Sequence, residues 1–202
     1  ALSEPNRYQL NTLLDDKPLT VKIDNHTVWR PNNFDKQFRN KVMLIDALAK
    51  SLNIPSVNLG MSVGLNKTKK TLIALGVPVA EIKAVPARFL GALELTPLET
   101  AQMYQVISNS GRKVPLSTLV AVLSDKGEMI YQNQSSAAQV VPAQAAYLTT
   151  YAMQKVVESG TAKRLHNNYS SLHLAGKTGT TNDLRDSWFV GVDGQNVTVI
   201  WI

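Results

Sequence analysis

Cysteine is absent from the 202-residue chain. That excludes disulfides, thiolate metal sites and cysteine nucleophiles, and it leaves the redox compartment open. Histidine is scarce, and His26, His166 and His173 share no metal-ligand spacing. They sit in loop or strand contexts and receive no catalytic or metal-binding role. No apolar run approaches the length of a membrane span, and the opening residues do not form a signal peptide. No internal repeat and no low-complexity segment is present. The carboxylates offer no convincing acid/base pair: Glu94 and Glu99 flank Thr96, where capping explains Glu99 better than catalysis does.

What is present is an ordinary globular composition. Hydrophobic residues make up 44% of the chain, enough for a sizeable core, and the length fits one domain or one domain with an appendage. The formal net charge is +6, from 21 Lys+Arg against 15 Asp+Glu. Such an excess could draw an anionic polymer or surface, yet the basic residues are dispersed. Their densest cluster, Lys67-Thr68-Lys69-Lys70, reads as the wet face of a helix, and no DNA- or RNA-binding motif accompanies it. Nucleic acid is therefore not expected as a partner. The opening Ala1-Leu2-Ser3-Glu4-Pro5-Asn6-Arg7 has neither an initiator methionine nor a clean helix start. The close, Val197 to Ile202, stops in mid-strand. Both ends lead us to expect a piece of a longer protein.

Residues 1–40 are polar and irregular, with a short strand-like piece at Leu19–Ile23 and a turn signal at Trp29-Arg30-Pro31-Asn32-Asn33. From Lys41 the apolar residues Val42, Leu44, Ile45, Leu48 and Leu52 fall at near-helical spacing, which predicts a helix capped by Asn40. Pro55 opens a second short helix running through Gly60 to Gly64, and Asn66 is expected to cap a third that ends near Gly76. Thr96-Pro97-Leu98-Glu99 combines an N-cap, a proline at the first helical position and a capping-box glutamate, so a helix should run from there to about Asn109. Leu116–Ser124 and Glu128–Gln132 read as a hairpin turning at Asp125-Lys126-Gly127. Pro142 starts a long amphipathic helix through Val157, closed by Gly160. Leu172–Thr178, Asp186–Val192 and Val197–Ile202 then read as strands, the last two joined at Asp193-Gly194. Helices in the middle and strands at the end, without regular alternation, give an α+β fold with an antiparallel sheet packed against a helical subdomain.

The stretch with most chemistry is Leu174 to Thr181, which holds Lys177-Thr178-Gly179-Thr180. Side chains alternate along a strand, so Lys177 and Thr178 cannot both point straight into one cleft. At a sheet edge, however, Lys177 can lean over a site while the threonine hydroxyls reach its rim. Gly179, lacking Cβ, lets another chain lie against the backbone. This suits an extended peptide ending in a carboxylate, held by strand addition and a point charge. A bare Lys-Thr-Gly is more often a solvent-facing strand with a turn glycine. Ser51-Leu52-Asn53 is the second candidate, because it places a hydroxyl and an amide at the end of a buried helix. Both residues also favour helix ends for purely local hydrogen bonding. Ser159-Gly160-Thr161-Ala162 is the third, and there a glycine C-cap is part of any reading. Ser110-Gly111-Arg112-Lys113 matches Ser-x-x-Lys, the pattern of a serine activated by a lysine one helical turn later. Gly111 and Pro115 mark a helix terminus there, so the match is a decoy.

Taken together, Ser51-x-Asn53 and the distant Lys177-Thr178-Gly179 resemble two of the three motifs of penicillin-recognising serine acyl transferases. The resemblance extends to Trp29-x-Pro31-x-Asn33, to Val42–Gly64, to Gly91–Glu99 and to Asp186-Ser187-Trp188-Phe189-Val190-Gly191. Over nearly all 202 residues the chain resembles the transpeptidase domain of class A penicillin-binding proteins, in the Gram-negative 1b subgroup. The resemblance implies the β-lactamase/transpeptidase-like fold. It also implies that the family's nucleophilic Ser-x-x-Lys helix belongs upstream of Ala1, so the fold is expected to be incomplete and the isolated chain inactive. In such enzymes a serine attacks the bond between two terminal D-alanines of a peptidoglycan stem peptide, and an amine from a neighbouring strand resolves the acyl-enzyme. β-Lactams acylate the same serine.

By that resemblance Ser51 relays a proton towards the leaving nitrogen and Asn53 hydrogen-bonds the substrate backbone. Lys177 supplies positive potential, Thr178 and Thr180 bind the carboxylate, and Gly179 leaves room for the peptide. Neither metal nor organic cofactor is implied. The expected ligands are D-Ala-D-Ala stem peptides and β-lactam antibiotics, and the parent is expected at the periplasmic face of the inner membrane, anchored there with a glycosyltransferase domain and cell-wall-synthesis partners. Two other readings compete. A serine β-lactamase would need a base for a deacylating water, for which Glu94 is the one tempting glutamate. A non-catalytic penicillin-binding-like module would need no nucleophile at all.

Overall fold

A computed structural model of the chain describes residues 1–23, 26–181 and 185–202. The first third holds β1 (Leu13–Asp16), β2 (Val21–Lys22), β3 (Val28–Trp29), β4 (Asn40–Met43), α1 (Leu44–Ala49), α2 (Asn53–Val63) and α3 (Leu65–Leu75). Two 3-10 turns, Val79–Glu81 and Pro86–Leu90, lead to α4 (Pro97–Ser108). Then come β5 (Arg112–Lys113), β6 (Ala121–Leu123), β7 (Met129–Gln132), β8 (Ala138–Gln139), α5 (Ala143–Glu158) and α6 (Lys163–Asn168). The chain closes with β9 (Ala175–Thr180), β10 (Ser187–Val192) and β11 (Val197–Trp201).

These last three strands form one antiparallel sheet in the order β11-β10-β9, with Lys177 opposite Val190 and Thr178 opposite Phe189. Among the described residues β9 pairs on one side only, so it is an edge strand. Helix α5 lies across this sheet. Its buried Ala145, Ala146, Ala152, Met153, Val156 and Val157 recur at helical spacing on one face. Met153 packs with Ala175 and Val192 of the sheet, and Val156 and Val157 pack with Ala162, Leu174 and Phe189. Leu48 of α1 packs against both groups. A separate small core joins Leu14, Leu44 and Ala47, covered by Val42 and Leu59. Helix α1 thus lies between two cores, with Ala47 facing one and Leu48 the other.

Several expectations hold. Thr96 and Glu99 form the capping box: the Thr96 backbone N–H donates to Glu99 at 2.8 Å and the Glu99 N–H returns a bond to Thr96 Oγ1 at 3.2 Å. The Thr96 N–H and the Thr96 hydroxyl both donate to the Glu99 carboxylate and hold it below its ordinary pKa. The long helix, the 116–132 hairpin and the C-terminal sheet are all present, with the hairpin's first strand shortened to Ala121–Leu123.

Other expectations are corrected. Asn40–Met43 is a strand, not the start of a helix, because it pairs antiparallel with Leu13–Asp16. The helix begins at Leu44 with Met43 as its uncapped boundary, and Asn40 adopts φ 63° inside the strand. A local helical period loses here to a long-range antiparallel pairing with β1. Helix α3 is entered through Gly64 at φ 91°, and Asn66 lies inside it. His166 sits on α6, an element that the sequence reading did not foresee.

The start of α2 is held from a distance. Leu52 at its N-cap has no side chain able to accept a bond, and none is made. Instead Asn33 Oδ1 accepts the Ile54 N–H at 3.1 Å, while its amide donates to the Asp16 carboxylate at 2.7 Å and to the Gln37 carbonyl at 2.8 Å. Asp16 is fully buried and also receives the Arg39 backbone N–H at 3.1 Å, with the Arg39 guanidinium 3.5 Å away. Replacing Asn33 by alanine strips a donor from a buried charge and an acceptor from a helix start at once. Asn33→Ala should therefore lower stability by about 2–4 kcal/mol in urea unfolding. Asn33→Asp, which sets a second carboxylate against Asp16, should be the more damaging of the two.

Candidate active site

Ser51 lies just beyond α1, where the chain closes a Schellman motif. Its N–H bonds to Leu48 O at 3.1 Å and the Leu52 N–H to Ala47 O at 2.8 Å. The residue at this position needs a left-handed conformation, which normally selects glycine, and Ser51 holds φ 53°. A side chain in that region costs roughly 1–2 kcal/mol. The strain is retained at a residue whose hydroxyl has a specific partner: Lys177 Nζ donates to Ser51 Oγ at 2.8 Å, across 126 positions of sequence.

Lys177 comes from the edge strand β9. Its ammonium also donates to the carbonyl of Thr178 at 2.7 Å, and its third proton meets no acceptor among the described residues. Nor does any carboxylate among them pair with it. Burial alone drops its pKa from 10.5 to about 8. The charged form is therefore held in a poorly solvated place with two neutral acceptors and a vacant third position, an arrangement suited to an incoming anion. Since Lys177 donates to Ser51, the serine keeps its own proton for a third party.

Asn53 is the first residue of α2. Its Nδ2 donates to Asn32 O at 2.8 Å, so the loop that carries Asn33 fixes the asparagine as well as the helix start. Thr178 Oγ1 lies 2.7 Å from Thr161 Oγ1. Thr180 is exposed, with a hydroxyl that has no partner among the described residues. The next residue is anchored: Thr181 Oγ1 donates to Asp186 at 3.0 Å and accepts the Asp186 N–H at 2.9 Å, while Trp201 Nε1 donates to the other oxygen of Asp186 at 3.0 Å. Gly179 stands opposite Trp188, and a Cβ there would lie 3.2 Å from the Trp188 Cβ. Packing within the sheet therefore favours a small residue there.

The structure thus brings Ser51 and Lys177 into direct contact and places Thr178 next to Lys177 on the same strand. It also gives Thr161, in the third candidate stretch, a tertiary partner that the sequence did not indicate. The Ser159–Ala162 stretch was legible only as a helix end, because a threonine after a glycine cap carries no signal of a tertiary partner. Ser110 remains a decoy: it has φ 53° beyond the end of α4, and Lys113 lies on β5. Glu94 is exposed and paired with Lys83 at 2.6 Å.

Two measurements follow from Ser51 and Lys177. Ser51→Gly and Ser51→Ala both delete the hydroxyl, but only glycine relaxes the left-handed cap. The glycine variant should unfold at higher denaturant, with an advantage of roughly 1 kcal/mol. For Lys177 the unfolded chain binds more protons than the folded one between pH about 8 and 10.5. Stability should therefore rise with pH through that window. Lys177→Met should flatten this part of the stability–pH profile.

A family model described as the penicillin binding protein transpeptidase domain matches residues 3–202. The chain is 52% identical over its full length to penicillin-binding protein 1B of Vibrio cholerae, covering 26% of that protein. It is 49% identical to penicillin-binding protein 1B of Escherichia coli, again over the whole chain and 24% of the relative. It therefore spans about a quarter of the length of these curated relatives. Among solved structures, penicillin-binding protein 1A from Haemophilus influenzae superimposes with a TM-score of 0.89 at 21% identity, over 99% of this chain and 35% of that one. That likeness shows the α+β transpeptidase fold.

Proposed function

The chain belongs to the penicillin-binding protein transpeptidase family, and from that premise we propose that it forms the substrate-holding wall of a D,D-transpeptidase site in bacterial cell-wall synthesis. The observation that carries the proposal is the 2.8 Å contact between Lys177 Nζ and Ser51 Oγ. It brings into direct contact the two motifs that the resemblance had paired.

In this reading the acyl donor is a peptidoglycan stem peptide ending in D-Ala-D-Ala. It lies along the open edge of β9, where unpaired backbone groups accept an extended chain. Its terminal carboxylate takes the vacant donor of Lys177 and the hydroxyls of Thr178 and Thr180, and Gly179 lets its backbone approach. Asn53 hydrogen-bonds the peptide backbone. The nucleophile is the serine of a Ser-x-x-Lys helix outside these 202 residues; the one Ser-x-x-Lys match inside them breaks across a helix end. The serine oxygen attacks the carbonyl carbon between the two D-alanines. The proton of the attacking serine passes to the lysine of its own motif and is handed on through Ser51, held by Lys177, to the nitrogen of the breaking C–N bond, so that terminal D-alanine departs. An amine from a neighbouring peptide then attacks the acyl carbon, returns a proton to the serine oxygen along the same route as the C–O bond breaks, and forms the crosslink. The N–H of Thr180 and that of the nucleophilic serine hold the developing oxyanion. The residues named supply all these roles without a metal or organic cofactor.

β-Lactams follow the first half of this path and remain attached. The hydrolytic alternative gains no support, because Glu94 is engaged by Lys83 at the surface. The relatives are penicillin-binding proteins 1B, from Vibrio cholerae and Escherichia coli among others, and a setting at the periplasmic face of the bacterial inner membrane is proposed for the protein that carries this segment.

Intact mass after incubation with penicillin tests the reading. The longer protein that includes the Ser-x-x-Lys helix should gain one drug mass and keep it, and the 202-residue segment should gain none. An adduct on the segment itself would place the reactive serine among these residues; rapid loss of the adduct from the longer protein would favour a β-lactamase. Acylation efficiency should also fall as pH rises above about 8, where Lys177 loses its charge. A profile flat to pH 10 would remove Lys177 from carboxylate recognition.

A further inference from the structure

We propose that Thr161 is a positioning residue of the carboxylate subsite: its hydroxyl donates to Thr178 and so turns the Thr178 proton towards the ligand. The inference rests on the reading that Thr178 binds a ligand carboxylate.

Thr161 is placed by an unusually close backbone approach. A Cβ on Gly160 would come within 2.0 Å of the carbonyl oxygen of Ala49, so only glycine fits there. That approach lets the Thr161 N–H donate to the same carbonyl at 3.1 Å. Ala49 is the last residue of α1, two positions before Ser51. The backbone of Thr161 therefore closes an open carbonyl at the end of the helix that presents Ser51. Its side chain reaches the other way, to β9, where the two threonine oxygens lie 2.7 Å apart. One residue thus ties the Ser51 helix to the Lys177-Thr178 strand.

The chemistry of that contact has two states. Each hydroxyl has one proton and can accept as well, and neither has another partner among the described residues. If Thr178 donates to Thr161, its only proton is used and it offers an anion nothing but lone pairs. If Thr161 donates, Thr178 accepts on one side and donates on the other. A carboxylate beside Lys177 selects the second state, since only that state presents it with a donor. The two hydroxyls then polarise one another along the chain from Thr161 through Thr178 to the carboxylate. Thr161 itself touches no reacting atom.

The test compares Thr161→Val, which keeps the shape and the backbone N–H, with Thr161→Ser, which keeps the hydroxyl. Both are made in the longer protein that includes the Ser-x-x-Lys helix. Acylation is followed with penicillin, whose carboxylate is free, and with its methyl ester. Thr161→Val should weaken acylation by penicillin roughly three- to tenfold, the factor one neutral hydrogen bond supplies. The loss should appear in the concentration for half-maximal rate, leave reaction with the ester unchanged, and be restored by Thr161→Ser. In a Thr178→Val background the valine at 161 should have no further effect. Equal loss for penicillin and ester, no loss at all, or an undiminished effect without Thr178 would overturn the inference while leaving the acyl-transfer reading intact. A wild-type protein that takes up no penicillin would overturn that reading and the inference with it.

Discussion

An ammonium ion taken out of water is an expensive object, and the site is arranged around one. Lys177 is stripped of enough solvent to pull its pKa down to about 8, yet no counter-charge among the described residues relieves it. What surrounds it instead is a hydroxyl and a carbonyl, each able to accept one proton and neither able to cancel the charge. A built-in carboxylate would make the lysine comfortable and useless for holding anions. Leaving the charge uncompensated makes the folded state less stable in the pH range where the lysine is charged, and in the proposed reading a ligand carboxylate supplies the missing counter-charge.

The hydroxyl that meets Lys177 is held under a second cost. A glycine at position 51 would satisfy the Schellman turn without strain, and serine there makes sense only for its Oγ. The two costs fall on the two ends of one hydrogen bond. Left-handed side chains occur also at Lys36, Asn40 and Ser110, but at Ser51 the strain meets a poorly solvated charge in one hydrogen bond, whereas capping box, hairpin and amphipathic helix follow local preference.

That contrast also explains what could be read from the sequence. Thr96 and Glu99 satisfy one another within a single turn, and α5 buries residues at helical spacing, so both were legible. Asn40–Met43 has the apolar spacing of a helix, and only its pairing with Leu13–Asp16 makes it a strand. The true acceptor at the start of α2 is Asn33, 21 residues away, so no local cap exists to be found. Of the site, the Lys177–Thr180 strand and the Ser51-x-Asn53 pair carried recognisable residue types. Thr161 stood in the third candidate stretch, but its partners, the Ala49 carbonyl and the Thr178 hydroxyl, are not near in sequence, so only a helix end could be read there.

Helix α1 shows why such a site cannot be a local property. Six residues are far too few to hold a helix in water. It persists because Ala47 is locked into the core with Leu14 and Leu44, while Leu48 is clasped between α5 and the sheet. The chain leaves this helix directly into Ser51. The position of the serine hydroxyl is therefore set by two cores at once, and the position of Lys177 by the sheet that lines one of them. Loosening either core shifts one end of a 2.8 Å contact relative to the other. Ala47 and Leu48 reach the site through their backbone as well, since their carbonyls accept the Leu52 and Ser51 N–H groups of the turn that presents the hydroxyl.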